Sequence, residues 1–303
     1  MKYILFIKGQ NLPSIQSKLF SLFLRLINKK SFLKKQMAVG RTNFYNCPEP
    51  PVSLSKYLKV KKTHHNGHAI FTLSPLSDEG STHILYLHGG AYVQGFTKLH
   101  WYFLSRFIRK SPVIITAPDL PVAPNSTYQA VFNMLLEIYE QLLQTVNPEN
   151  LILMGDSSGG GMALALAQLL RTKGIKQPAQ IILFSPWLDI TMSNTEIREI
   201  DRLDPFMGIE GLVNAGKLYA GGDDRDHYLL SPINGSLEEL GKISLFVGSN
   251  EMMVADARKL KEQAAIKGID INYFEYTGMI HTWVLFNFPE SKAALEQVLT
   301  IIR

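Results

Sequence analysis

From His83 onward, short apolar runs alternate with longer amphipathic stretches. Ile84–Leu87, Val113–Thr116, Leu151–Met154, Ile181–Phe184, Ile243–Val247 and Ile271–Tyr276 are nearly continuous in their apolar character. Such runs suit strands covered on both faces, not a sheet with one wet side. Between them, Leu99–Arg109, Tyr128–Thr145, Met162–Lys173 and Ala255–Lys267 read as helices, and Pro289-Glu290 makes a good start for a last helix, Pro289–Ile302. Repeated strand–helix alternation predicts a three-layer α/β domain with a mostly parallel sheet and helices on both faces. Upstream of it, Tyr57–Lys62 and Ala69–Leu73 read as two strands joined across His64-His65-Asn66-Gly67, since Asn-Gly is a hairpin signal. Residues 12–35 read as one helix. Leu12, Ile15, Leu19, Leu22, Phe23 and Leu26 recur at spacings of three or four behind Pro13, and Phe20, Leu24 and Ile27 widen the apolar face. Lys18, Arg25, Lys29, Lys30, Lys34 and Lys35 fill much of the remainder, and Pro48, Pro50 and Pro51 end the segment. Two readings of this helix stay open: a lid packed over the mouth of a site, or an element lying on an anionic membrane surface.

Composition narrows the class. The 303 residues are 46% hydrophobic and 19% charged, as expected of a globular chain with one large domain and a lid, or of two domains. The single cysteine, Cys47, excludes an internal disulfide and a cysteine metal cluster. His64 and His65 have no third histidine or carboxylate at ligand spacing, so a solvated turn is predicted there and no metal site. No apolar stretch approaches the ~18 residues of a membrane span. The Tyr3–Ile7 run is shorter than the ~7–15 residues of a signal-peptide core. The expectation is a soluble, cytoplasmic protein. The net charge of +5 is unevenly spread: residues 1–62 carry +12 and the remaining 241 carry −7. The basic character thus belongs to the N-terminal segment, which argues against a nucleic-acid-binding surface on the main domain.

Three motifs carry chemistry. Gly155-Asp156-Ser157-Ser158-Gly159 follows the run Leu151–Met154 and precedes the small-residue stretch Gly160–Ala167. Strand, sharp turn and helix around a central serine form a nucleophile elbow. A serine hydroxyl is a weak nucleophile until a base takes its proton, and the elbow lifts Ser157 to where base and substrate both reach it. His88-Gly89-Gly90-Ala91-Tyr92 follows Ile84–Leu87. Acyl transfer passes through an oxyanion that needs preorganised N–H donors. The candidates are Gly90 and Ala91, with Gly89 shaping the turn, and Ser158 after the nucleophile. Thr277-Gly278-Met279-Ile280-His281-Thr282-Trp283 follows the last run, and His281 is the one histidine beyond it. The acid should lie just past Ile243–Val247, where the residues offer Glu251 and, opening the next helix, Asp256. Both stay open, with Glu251 placed first because a carboxylate at a helix start has a capping role of its own.

Residues from about 80 to 300 resemble the hormone-sensitive-lipase-like group of α/β-hydrolases, which includes many bacterial carboxylesterases. The resemblance rests on the three motifs together with Ser185-Pro186-Trp187-Leu188-Asp189, Asp204-Pro205-Phe206 and Ser231-Pro232. It implies an α/β-hydrolase fold with a helical cap, no cofactor, hydrolysis of small acyl esters through Ser157, Glu251 and His281, and often a homodimer. The N-terminal segment 1–50 and an insertion at about 188–235 would form the cap, and 51–303 the catalytic domain. Tyr92, Phe206, Met207, Tyr219 and Trp283 would shape the substrate pocket. Three residues depart from the group's pattern. Ala91 stands where a third glycine is usual, Ser158 where alanine is common, and Glu251 where aspartate is commonest. The methyl of Ala91, with the bulk of Tyr92 and Trp283, predicts short acyl chains, from acetyl to roughly hexanoyl, since added methylenes help (about 0.8 kcal/mol each) only where there is room to bury them. The rival readings are a non-catalytic small-molecule binder on the same fold, a membrane-surface module, and a peptidase, lactonase or deacetylase using the same triad.

Overall fold

A computed structural model describes residues 12–77 and 80–302. The apolar run Tyr3–Ile7 and the first eleven residues of the expected cap segment lie outside the described residues. In chain order the elements are α1 (Ile15–Leu26), α2 (Phe32–Ala38), β1 (Leu58–His65), β2 (His68–Pro75), β3 (His83–Leu87), α3 (Lys98–Ile108), β4 (Ile114–Pro118), α4 (Tyr128–Leu143), β5 (Leu151–Asp156), α5 (Ser158–Thr172), β6 (Gln180–Phe184), α6 (Glu196–Ile200), α7 (Ile209–Ala220), β7 (Lys242–Gly248), α8 (Met253–Ile266), β8 (Ile271–Tyr276) and α9 (Pro289–Ile301).

Among the described residues the strands form one eight-stranded sheet in the order β1-β2-β4-β3-β5-β6-β7-β8. The β1–β2 and β2–β4 pairs are antiparallel and the remaining pairs parallel. The hairpin turn is Asn66-Gly67, both at positive φ, the geometry a two-residue turn needs to follow the strand twist. The parallel strands inside the sheet, β3 to β7, are buried on both faces, while the edge strand β8 is only half-buried. Ile84, Tyr86, Ile152, Met154, Ile182, Phe184 and Phe246 pack toward α3 and α9. Their alternates Leu85, Leu87, Leu151, Leu153, Ile181, Leu183 and Leu245 pack toward α4, α5 and α8. This double burial is why the runs read as apolar at consecutive positions. Parallel pairing also puts the loops after β3, β5, β6, β7 and β8 along one edge of the sheet, the edge where open α/β sheets carry their sites.

The N-terminal segment differs from the expected single helix. Asn28 adopts the left-handed conformation (φ 49°, ψ 47°) and a 3-10 turn, Lys29–Ser31, separates α1 from α2. Asn tolerates this backbone where most residues do not. The buried face of α1 is also not the one formed by Leu12, Ile15, Leu19, Leu22, Phe23 and Leu26, all of which are exposed. Ser17 and Leu24 face inward, and Phe20 packs on Phe286 and Phe288 with ring centroids 4.8 and 5.6 Å apart. The orientation follows from the anchor. The Ser14 N–H donates to Glu290 Oε1 at 2.6 Å and its hydroxyl to Oε2 at 3.0 Å, while the Arg25 guanidinium donates to the carbonyls of Arg202 and Leu203. The helix therefore has two apolar faces, and the polar anchors choose which one turns inward. Helices α2 and α7 pack together so closely that a Cβ on Gly211 would sit 2.9 Å from the Lys34 nitrogen. Lys34–Glu210 (2.6 Å) bridges the same two helices, and Lys30–Asp201 (2.7 Å) joins the turn before α2 to the end of α6.

One half-buried cation fastens the edge of the sheet that carries the loops. Arg106 on α3 donates to the carbonyls of Val284 (2.9 Å), Leu285 (3.0 Å) and Phe286 (2.7 Å). These carbonyls end a short 3-10 turn just past His281. Arg106→Met keeps the aliphatic stem but leaves three carbonyls without donors. Urea unfolding is expected to report a loss of about 2–3 kcal/mol. A loss below about 0.5 kcal/mol would mean that water replaces the guanidinium without cost.

Candidate active site

Strand β5 runs straight into the elbow. Ser157 sits at φ 53°, ψ −122° between β5 and α5, a conformation expensive for a residue with a side chain. The turn is held by Ser157 N–H to the Phe184 carbonyl (2.9 Å) and by Trp187 N–H to the Ser157 carbonyl (2.9 Å). It closes only because its flanks lack Cβ atoms: one on Gly159 would collide with the Leu87 carbonyl and one on Gly155 with the Gly159 carbonyl.

The Ser157 hydroxyl lies 2.8 Å from His281 Nε2, and His281 Nδ1 lies 2.6 Å from Glu251 Oε2. All three side chains are buried. The other Glu251 oxygen accepts from the Ser185 hydroxyl at 2.7 Å and from the Gly248 N–H at 2.6 Å, and the Ser185 hydroxyl accepts from the Thr282 N–H at 3.1 Å. Burial alone pulls the His281 pKa down. The hydrogen bond and charge of Glu251, with Asp204 and Asp156 behind it, outweigh burial and raise it above 6.5. Asp256 is elsewhere. It accepts from Asn194 Nδ2 at 3.0 Å, its second oxygen is buried without a partner, and burial pushes its pKa up to about 6.

The loop after β3 lies beside the elbow because β3 pairs directly with β5. Gly89 is not free to meet an oxyanion. Its N–H donates to Asp156 Oδ1 at 3.1 Å, so within this loop Gly89 shapes the backbone and is not one of the free donors. Asp156 also accepts from the Tyr86 hydroxyl and lies 3.5 Å from His100 Nε2. Gly90 and Ala91 have no acceptor for their N–H groups among the described residues, and Ser158 opens α5, where no preceding turn supplies a carbonyl. Ala91 stands at φ 53°, so it keeps its N–H in place at the cost of a strained backbone.

A cavity of about 650 Å³ opens over Ser157 and His281, walled by Phe20, Leu24, Phe32, Phe44, Phe206 and Phe286. Met207 and Ala91 line it as well. Tyr92, Tyr219 and Trp283 do not. The left-handed backbone at Tyr92 turns its ring under the loop, where it stacks on Tyr219 at 3.8 Å. Trp283 is fully buried against Tyr276, with ring centroids 4.3 Å apart. The expectation that these three shape the pocket is therefore corrected: they are core.

Three further residues complete the site. Ser185 bridges Glu251 and the loop of His281, as described above. Asp204 accepts from the N–H groups of Phe206 (2.7 Å), Met207 (3.0 Å) and Met252 (3.0 Å), tying the segment between α6 and α7 to the loop of Glu251. Burial raises its pKa to about 6, against the pull of His281. Both belong to motifs visible in the sequence, but the partners that tie them to the Glu251 and His281 loops are 48 to 97 residues away. Lys29 had no signal beyond its place in a basic run. The break at Asn28 brings its ammonium over the rings of Phe32 (4.0 Å) and Tyr45 (4.6 Å) at the cavity wall, and burial lowers its pKa to about 8.

Residues 84–285 match a family described as alpha/beta hydrolase fold. An esterase from Acinetobacter venetianus is 30% identical over 223 residues, 71% of this chain and 72% of the relative. An acetyl-hydrolase from Streptomyces hygroscopicus is 32% identical over 226 residues, 73% and 75% respectively. The crystal structure of an esterase from the bacterial hormone-sensitive lipase family superposes with a TM-score of 0.77 at 28% identity, covering 82% of this chain and 87% of that one. The chain belongs to the hormone-sensitive-lipase-like α/β-hydrolases. As a member of that group it is an ester hydrolase. No helix among the described residues is long and apolar enough to cross a membrane.

Two predictions follow the geometry of this hydrolase. Glu251→Gln should lower turnover by on the order of 10³–10⁴, while Asp256→Asn should leave it nearly unchanged. Asp256→Asn should instead stabilise the fold. A carboxyl near pKa 6 when folded and about 3.9 when unfolded binds its proton more tightly in the fold. Its stabilising neutral form is present at acid pH and lost as pH rises through 6. The substitution should therefore add on the order of 2 kcal/mol at pH 8 and little at pH 4. Unfolding curves at the two pH values and a rate assay check both claims. The second concerns pH. His281 accepts a proton only when neutral, so the acid limb of kcat/KM should lie above 6.5. Asp204→Asn removes one of the charges that raise the imidazole and should move that limb to lower pH. An unmoved limb would mean that the Asp204 charge is not felt at His281.

Proposed function

We propose that this hydrolase is a serine carboxylesterase for small, short-acyl esters, working through Ser157, His281 and Glu251 by way of an acyl-enzyme. The observation that carries the reading is the unbroken contact from the Ser157 hydroxyl through both His281 nitrogens to Glu251. Ser157 Oγ attacks the ester carbonyl as His281 Nε2 takes its proton. Charge develops on the carbonyl oxygen, within reach of the N–H groups of Gly90, Ala91 and Ser158. His281 returns the proton to the departing alcohol, leaving the acyl group on Ser157. Water, deprotonated by the same imidazole, then releases the acid and restores Ser157. Glu251 holds the Nδ1–H tautomer and steadies the imidazolium without taking the proton. A non-catalytic binder would have no need of this relay.

The cap is assigned to residues 1–50 and about 188–235. Supporting this, Phe20, Leu24 and Phe32 from the first segment and Phe206 and Met207 from the second line the cavity. The short-acyl reading draws on the Ala91 methyl in the cavity wall beside the donors and on the relative named an acetyl-hydrolase. The aromatic remainder of the cavity suits the alcohol side of the ester.

Ser157→Ala should lower turnover by on the order of 10⁴–10⁶, and a serine-reactive phosphonate should label Ser157 alone. Labelling at another serine would sink the mechanism. Activity on a p-nitrophenyl ester series should peak between acetyl and roughly hexanoyl. Ala91→Gly removes the methyl and relieves a left-handed alanine worth about 1 kcal/mol. It should therefore raise the octanoyl-to-butyryl rate ratio, and an unchanged ratio would show that Ala91 does not limit the acyl chain.

A further inference from the structure

Helix α1 presents apolar side chains on both sides. Phe20 and Leu24 turn inward and line the cavity. Ile15, Leu19, Leu22, Phe23 and Leu26 fall within about 100° of the helix circumference and face solvent. Leu26 is 77% exposed and Ile15 74%, and Leu12, just before the helix, is 82% exposed. A contiguous stripe of this kind marks an interaction surface.

The charge around the stripe identifies what covers it. Residues 12–48 contain seven lysines and arginines and no acid, with Lys30 and Lys34 paired to Asp201 and Glu210, and Lys2 and Lys8 precede them, again without an acid. Lys18 lies at one border of the stripe, three residues after Ile15 and four before Leu22, while Arg25, seven residues further along the same flank, is turned to the carbonyls of Arg202 and Leu203. Lys18 is exposed and has no carboxylate partner among the described residues. A second copy docked by a two-fold axis would set this basic surface against itself. An anionic lipid surface takes the leucines into its acyl boundary and the cations at its headgroups.

We propose that α1 docks this hydrolase on an anionic bilayer surface, with Leu19, Leu22 and Leu26 inserted and Lys18 at the phosphate level. Because the opposite side of the same helix walls the cavity, docking holds the active-site mouth at the lipid–water boundary. Esters that partition there then reach Ser157 without first crossing bulk water.

The test uses the full chain and two kinds of vesicle, phosphatidylcholine alone and phosphatidylcholine with phosphatidylglycerol. Co-sedimentation should detect binding to the anionic vesicles, weakened by added salt and much weaker on the neutral ones. The triple variant Leu19→Ser, Leu22→Ser, Leu26→Ser changes only exposed side chains outside the cavity wall. It should lower anionic-vesicle binding at least about tenfold and leave kcat/KM on p-nitrophenyl butyrate unchanged, which also certifies the fold. Wild-type binding to neither vesicle, equal binding by the variant, or equal binding to neutral vesicles overturns the proposal. A wild-type dimer that the substitutions convert to monomer overturns it too, because a second copy then fills the stripe. The esterase reading is measured separately on the water-dissolved ester, so either can fail alone.

Discussion

A carboxylate with no exposed surface is the constraint around which the site is built. Glu251 is fully buried, and a buried charge persists only when its oxygens are filled with donors. Its donors come from three strand ends. Ser185 follows β6, Gly248 ends β7 and His281 lies in the loop after β8. Each bond that keeps the charge buried also fixes a loop, so satisfying the acid and positioning the imidazole are the same event.

The same device recurs on either side. Asp156 holds the loop after β3 through the Gly89 N–H and reaches His100 and Tyr86 behind it. Asp204 holds the Phe206–Met207 segment against the loop of Glu251. Three buried acids thus stitch the sheet edge together, and all three add to the negative potential that raises the pKa of His281. The strained backbones at Ser157, Ala91 and Ser185 are tolerated because these bonds over-determine the loops.

The N-terminal segment follows a different logic. Its leucines carry a clear helical period, and that period is real in α1. Periodicity counts apolar positions without saying which of two apolar faces meets the protein. Here two polar anchors, Ser14 on Glu290 and Arg25 on the carbonyls of Arg202 and Leu203, make the choice. The face with more leucines is left outward.

The sequence alone determined what is local. Apolar runs long enough to be buried on both faces marked the parallel strands, Asn66-Gly67 marked the hairpin, and a serine between glycines after a strand marked the elbow. These are decided by neighbours within a few residues. Other features needed the fold. The choice of Glu251 over Asp256 beside His281 turned on a loop that crosses β7 and β6 to reach Ser157. The loss of the Gly89 N–H to Asp156, and the burial of Tyr92, Tyr219 and Trp283, turned on left-handed backbones and packing partners distant in sequence. A side chain's type can be read along the chain. Which atom it faces is set by strand order and loop direction, and these form only when the whole sheet does.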